Sequence, residues 1–196
     1  MVQGERKDSM KKAFYLDVET TGLHPWHNDI QQIACLVEIN GEVVEEFESK
    51  VRPFNMDNIN EQAMKVTGVT KDELLDYPEP KIVYNQLIDL LAKYVNKYEK
   101  SDKFTPIAYN GKFDCEFLSG FFKKNDDKYY GSWFNWKLVD PLALLYIMDY
   151  KRKIALPNYK LSTACQHFGI PLVAHDALND IRATRELWYL LDDMPV

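Results

Sequence analysis

The sequence predicts an α/β fold: a mixed five-stranded sheet with helices packed on it. Three observations carry this. Two apolar runs flank an Asn40-Gly41 pair early in the chain, the pattern of an antiparallel hairpin. Later strand-like runs alternate with segments whose apolar residues recur at helical spacing. No internal repeat, low-complexity stretch or linker interrupts that order, and 196 residues suit one domain.

Residues 1–11 read as a flexible lead-in and residues 12–196 as the single domain. Ala13 to Val18 is a short apolar and aromatic run closed by Thr20-Thr21-Gly22, a buried strand that ends in a turn. Ile30 to Asn40 contains the second strand, and Val43 to Val51 returns as the third. Past Pro53, Asn60–Val66 and Lys71–Leu75 read as short helices around Thr67-Gly68-Val69-Thr70. From Lys81 to Tyr98, Ile82, Leu87, Ile88, Leu91 and Val95 mark a long amphipathic helix. Phe104 to Tyr109 is the fourth strand, Asn110-Gly111 a turn, and Phe113 to Lys123 a helix. Trp136 to Asp140 gives the fifth strand, with Pro141 opening the next helix. Two more helices, about Leu161–Phe168 and Ala177–Leu191, are joined by Gly169-Ile170-Pro171.

The chain is 46% hydrophobic and 13% aromatic, enough for a packed core, which excludes a disordered class. The 24 Lys and Arg against 30 Asp and Glu leave a net charge of −6, so bulk charge does not hold it to nucleic acid or an anionic membrane. A nuclease remains open, because divalent cations would offset its site carboxylates. Cys35, Cys115 and Cys165 are odd in number and lack a CxxC pair, which argues against a disulfide framework or structural zinc and fits a reducing, intracellular (cytoplasmic) compartment. No apolar run approaches the roughly 20 residues that span a bilayer, and the polar N-terminus has no apolar signal-peptide core.

Asp17 and Glu19 end the first strand two residues apart. The period of two places both carboxylates on one face, about 7 Å apart at ~3.3 Å per residue. Two acids there repel and lose hydration, and a divalent cation relieves both penalties. Asp114 opens a helix just beyond the fourth strand, where an acid also complements the helix dipole. Asp176 caps the last helix, so His175 lies in the loop before it and Asp180 one turn within it. Each feature alone has an ordinary structural explanation: a solvated strand end, a dipole partner, a surface histidine. Together they supply oxygen ligands from several elements, suited to Mg²⁺ or Mn²⁺, and an imidazole able to take a proton near neutral pH.

Three stretches resemble the DEDDh, or DnaQ-like, 3′–5′ exonucleases. Residues Phe14 to Leu23 (FYLDVETTGL) resemble the first exonuclease motif, Ala108 to Leu118 (AYNGKFDCEFL) the second, and His175 to Asp180 (HDALND) the third. The histidine five residues before Asp180 marks the histidine subclass. Val66 to Thr70 resembles the family's GIT-type turn, and Lys160 to Cys165 with Phe168-Gly169-Ile170 its penultimate helix. The likeness runs from about residue 13 to 191.

The resemblance implies an RNase H-like fold and release of nucleoside 5′-monophosphates from 3′ ends. By that likeness Asp17, Glu19, Asp114 and Asp180 hold two Mg²⁺ or Mn²⁺ ions, with Asp17 as the bridge, and His175 is the general base. Thr20 contacts the 3′-terminal nucleotide through its backbone, Leu23 wedges against the terminal base, and Asn110 lies near the scissile phosphate. The expected partners are single-stranded or frayed 3′ ends, DNA before RNA, with a DNA polymerase or a homodimer partner open and no membrane. An RNA-trimming enzyme of the same fold is the alternative. A nucleic-acid-binding or polymerase-associated protein without activity is the contrasting class, and the intact acids argue against it. Outside these motifs, Lys151-Arg152-Lys153 could follow a nucleic-acid backbone or be a solvated loop, and Lys123-Lys124 suit a helix C-terminus. Tyr129, Tyr130, Trp133, Phe134 and Trp136 read mostly as packing beside the fifth strand.

Overall fold

The computed structural model describes residues 11–172 and 176–194. Residues 1–10 of the expected lead-in (1–11) and His175 therefore lie outside the described residues. The first strand, β1 (Lys12–Thr20), is the centre of the sheet. It pairs antiparallel with β2 (Ile30–Ile39) and parallel with β4 (Thr105–Ile107), while β3 (Glu42–Lys50) forms the edge beyond β2. Asn40 and Gly41 both take positive φ, 53° and 89°, and close β2 onto β3 as the two-residue turn that matches strand twist.

Alternation along β1 and β2 sorts the core into two layers. Phe14, Leu16, Val18, Ile33, Cys35 and Val37 face α3 (Pro80–Tyr94) and α4 (Lys112–Lys124), meeting Val83, Leu87, Leu91, Phe117 and Phe121. Tyr15, Ala34 and Leu36 face the other way, against Ala177 and Ile181 of α8 (Ala177–Asp192). Each such large apolar side chain contributes about 1.5–3 kcal/mol on leaving water. A second cluster joins α6 (Pro141–Tyr150), α7 (Leu161–Phe168) and α8 through Leu145, Met148, Cys165 and Leu187, with Tyr109 packed against it.

Between β3 and α3 lie a 3₁₀ turn and two short capped helices. Asn60 caps α1 (Glu61–Thr67), which ends on Gly68 in the left-handed region. Thr70 and Glu73 form a capping box on α2 (Lys71–Leu75).

Among the described residues the sheet has four strands, where the sequence predicts five. Of the stretch expected as the fifth strand, Val139 makes an isolated parallel bridge to Ile107, and just before that stretch Phe134 makes another to Phe104. Trp136 between them is 88% exposed, so the chain bows outward and no continuous ladder forms. A short helix, α5 (Tyr130–Trp133), precedes it. Of the aromatics expected to pack there, Trp133 and Phe134 are in the core, Tyr130 stacks on Phe134, and Tyr129 and Trp136 are exposed. The helix α3 stops at Tyr94 instead of Tyr98, because Val95 turns to extended backbone. The Asp102 carboxylate then accepts the Asn96 N–H and the Lys12 ammonium.

Candidate active site

β1 delivers Asp17 and Glu19 to the α8 side of the sheet while Val18 between them enters the opposite layer. The Val18 N–H donates to Asp114 Oδ1 at 3.0 Å, which ties the first turn of α4 to the end of β1. Asp114 is almost completely buried. Asp180, in the first turn of α8, approaches from the other side, its helix capped by Asp176 accepting the Asn179 N–H. The four acids read from the sequence thus come from a strand end and two helix starts around one point.

Their electrostatics show the convergence. Burial, then the charges of Asp114, Glu19 and Asp180, holds the Asp17 carboxyl well above the ordinary aspartate range. Burial pushes Asp114 up to about 7, against the lowering effect of the Val18 N–H, with Asp140 and Glu19 adding to the rise. Among the described residues no three Asp, Glu, His or Cys side chains are arranged to hold a metal ion. The donor chemistry nevertheless suits hard divalent cations: several carboxylates, little solvent, and mutual repulsion that positive charge would cancel.

The loop after β1 is built by hydrogen bonds to its own backbone. Thr20 is buried and its hydroxyl donates to the Gly22 carbonyl at 2.7 Å. Thr21 and Asp29 clasp the loop: Thr21 N–H donates to the Asp29 carbonyl, and Asp29 N–H to the Thr21 hydroxyl. Gly22 is required by close approach, since a Cβ there would collide with the Asn28 side chain. Asn28 in turn accepts the His24 N–H and donates to the Asn58 carbonyl. Leu23, in the same loop, is 72% exposed.

Two positioning acids escaped the sequence reading. Asp29 is 3% exposed; one carboxylate oxygen accepts Lys124 Nζ at 2.6 Å and the other the Asn55 N–H at 2.9 Å. Lys124 therefore anchors the loop after β1, beyond complementing its helix end as the sequence suggests. Asp140 caps α6 through Leu142 N–H and also accepts the N–H groups of Asn110 (3.0 Å) and Gly111 (3.2 Å). These bonds hold the turn in which Asn110 takes the left-handed conformation, φ 56°. Asp140 before Pro141 carries the local signal of a helix cap, but no spacing signals its hold on the Asn110 turn or the hold of Asp29 on Lys124 and Asn55. A small cavity of about 60 Å³ brings Thr67 and Val69 of the turn at 66–70 to Glu19, with Gln31, Gln32, Lys50 and Tyr77 completing its wall.

The RNase_T exonuclease family model matches residues 14–188, spanning all these elements. The chain belongs to this exonuclease family, in its DEDDh, DnaQ-like group. Members similar to it include the PolC-type DNA polymerase III of Halalkalibacterium halodurans, 32% identical over 182 residues, which are 90% of this chain and 11% of that polymerase. The PolC-type polymerase III of Bacillus subtilis is 28% identical over 174 residues, 87% of the chain and 11% of the polymerase. The chain spans about a tenth of the length of these relatives. Among solved structures, E. coli Exonuclease I in complex with a dT13 oligonucleotide superposes with a TM-score of 0.78 at 22% identity, over 93% of this chain and 41% of that one. The zinc-bound form of the E. coli Exonuclease I–ssDNA complex gives 0.78 at 22%, over 94% and 41%. The fold of the family member described here is accordingly RNase H-like.

Proposed function

We propose that residues 12–196 form one exonuclease domain that removes nucleotides from the 3′ ends of single-stranded or frayed DNA as 5′-monophosphates. The observation that carries this reading is the mutual electrostatic effect of Asp17, Glu19, Asp114 and Asp180 at the end of β1. These four would hold two Mg²⁺ or Mn²⁺ ions. The ions would supply Lewis acidity to the phosphate, charge to the departing 3′ oxygen, and acidity to the attacking water.

The chain's own groups do the rest. His175 takes the proton from the attacking water, and its neutral imidazole is suited to that near pH 7. Thr20 meets the 3′-terminal sugar through its backbone and Leu23 covers the terminal base. Asn110, held by Asp140, offers its amide near the scissile phosphate. DNA is favoured over RNA because the similar proteins are PolC-type DNA polymerases and an Exonuclease I bound to dT13. Those relatives also support a place beside a DNA polymerase in proofreading, replication or repair. Three free thiols suit a reducing intracellular compartment. Among the described residues no helix is long and apolar enough to cross a membrane.

The test uses 5′-labelled single-stranded DNA and RNA of one sequence, with Mg²⁺, with EDTA, and with Asp17→Ala. The expected result is a metal-dependent ladder shortening from the 3′ end, faster on DNA and absent in the variant. A ladder faster on RNA would reassign the substrate; no ladder on either polymer would refute the exonuclease reading.

A further inference from the structure

The helix α6 carries one charged side chain, Asp149, and is otherwise apolar or aromatic, a composition that normally belongs to a mostly buried helix. Leu145 and Met148 do enter the core, but the opposite stripe does not: Tyr146 is 51%, Ile147 41% and Tyr150 89% exposed. That stripe runs straight into Lys151 and Arg152, both exposed. The helix starts at Asp140, which holds the Asn110 turn, and its 10 residues extend about 15 Å from there. The loop that follows returns to the same place, because the Tyr109 hydroxyl donates to the Tyr159 carbonyl at 2.7 Å. Tyr146 also packs on Tyr159, ring centroids 4.5 Å apart. The helix's own acid, Asp149, borders the stripe and accepts a hydrogen bond from the Tyr159 hydroxyl.

The end of α6 is built in an unusual way. Lys153 N–H donates to the Met148 carbonyl and Arg152 N–H to the Asp149 carbonyl, the two bonds of a Schellman cap. The residue at the left-handed position of such a cap is usually glycine, and here it is Arg152, at φ 58°. A bulky side chain at that conformation is strained, so the fold would be more stable with glycine.

We infer that the Tyr146–Tyr150 stripe and the Lys151–Arg152 cap form a track for the single strand upstream of the cleaved nucleotide. The tyrosine rings stack bases without regard to sequence, and the two cations meet phosphates. The track lies one helix length from the Asn110 turn, so the strand reaches it a few nucleotides from its 3′ end. The basic cap is complementary to a polyanion although the chain as a whole carries −6. This rests on the exonuclease reading for its direction, since that reading puts the 3′ end at Asp17.

The experiment measures binding without turnover, with Ca²⁺ in place of Mg²⁺, using fluorescein-labelled oligothymidylates from two to about 20 nucleotides. For the wild type, affinity rises with length as the strand reaches the loop. Arg152→Gly is expected to melt at a higher temperature than wild type and yet to lose most of that rise. The slope of log affinity against log salt on the longest oligomer should fall by about 0.7, one phosphate contact. Tyr150→Ala should weaken the longest oligomer about tenfold, one stacked base. Wild-type length dependence and salt slope in both variants would overturn the track and favour a protein-docking role for the stripe. Binding and melting temperature falling together in Arg152→Gly would overturn it too, as a purely structural effect. The 3′ ladder assay on the wild type judges the exonuclease reading separately, so the two failures are distinguishable.

Discussion

At the residue scale the division of labour between acids and imidazole makes a sharp prediction. Under the proposed mechanism the carboxylates hold cations and His175 moves a proton. His175→Ala should therefore lower kcat by about 10²–10⁴-fold, the usual worth of a general base, while Mn²⁺ affinity measured by titration calorimetry stays near wild type. Loss of Mn²⁺ affinity in that variant would reassign His175 to the ligand set. The acids were readable from the chain for a physical reason: period-two alternation puts Asp17 and Glu19 on one face whatever the rest of the fold does. Asp114 and Asp180 needed the motif likeness, since an acid in a first helical turn is ordinary on its own.

At the element scale, the site depends on joints that the sequence does not display. The turn after β4 is held by Asp140, at the end of a segment that joins the sheet through two isolated bridges. The sequence reading made that segment a strand, because Leu138 and Val139 look like one; what decides otherwise is the exposed Trp136, a tertiary outcome. The β2–β3 hairpin, by contrast, is local chemistry: Asn-Gly fits two successive positive φ angles, so the register follows from two residues. Asp29 and the link from Asp140 to Asn110 have partners distant in sequence, which leave no periodic trace. Asp140 is the more testable of the two. Asp140→Ala removes the cap of α6 and the acceptor for Asn110 and Gly111, and should cost about 2 kcal/mol in urea unfolding. The same variant should lower kcat more than it raises KM, since the Asn110 turn loses its anchor. Asp140→Asn keeps an oxygen for the cap and should restore most of the stability. If Asp140→Ala unfolded at the wild-type midpoint, the joint would be incidental.

At the scale of the whole molecule, burying like charges sets how stability depends on pH. In the folded chain Asp17 lies well above the usual aspartate range and Asp114 near 7, against 3.8 for an unperturbed side chain. Between those values the folded state holds more protons than the unfolded one, so stability falls as pH rises. For Asp114 the contribution is fully present below about pH 4 and is lost as pH passes through 7, and Asp17 acts in the same direction. Other carboxylates oppose this: Asp102, resisting its own burial, is lowered by Lys12 and the Asn96 N–H, and its contribution is lost in acid. A maximum at mildly acidic pH is the expected profile for metal-free protein in EDTA, followed by thermal melting across pH 4 to 9. Cations bind the deprotonated carboxylates, so Mn²⁺ should raise the melting temperature more at pH 8 than at pH 5.5. Asp17→Asn removes one buried charge. It should melt above wild type at pH 8 without metal, gain little at pH 5.5, and respond less to Mn²⁺, trading activity for stability. If Asp17→Asn melted below wild type at pH 8, repulsion at the end of β1 would not be what limits the metal-free fold.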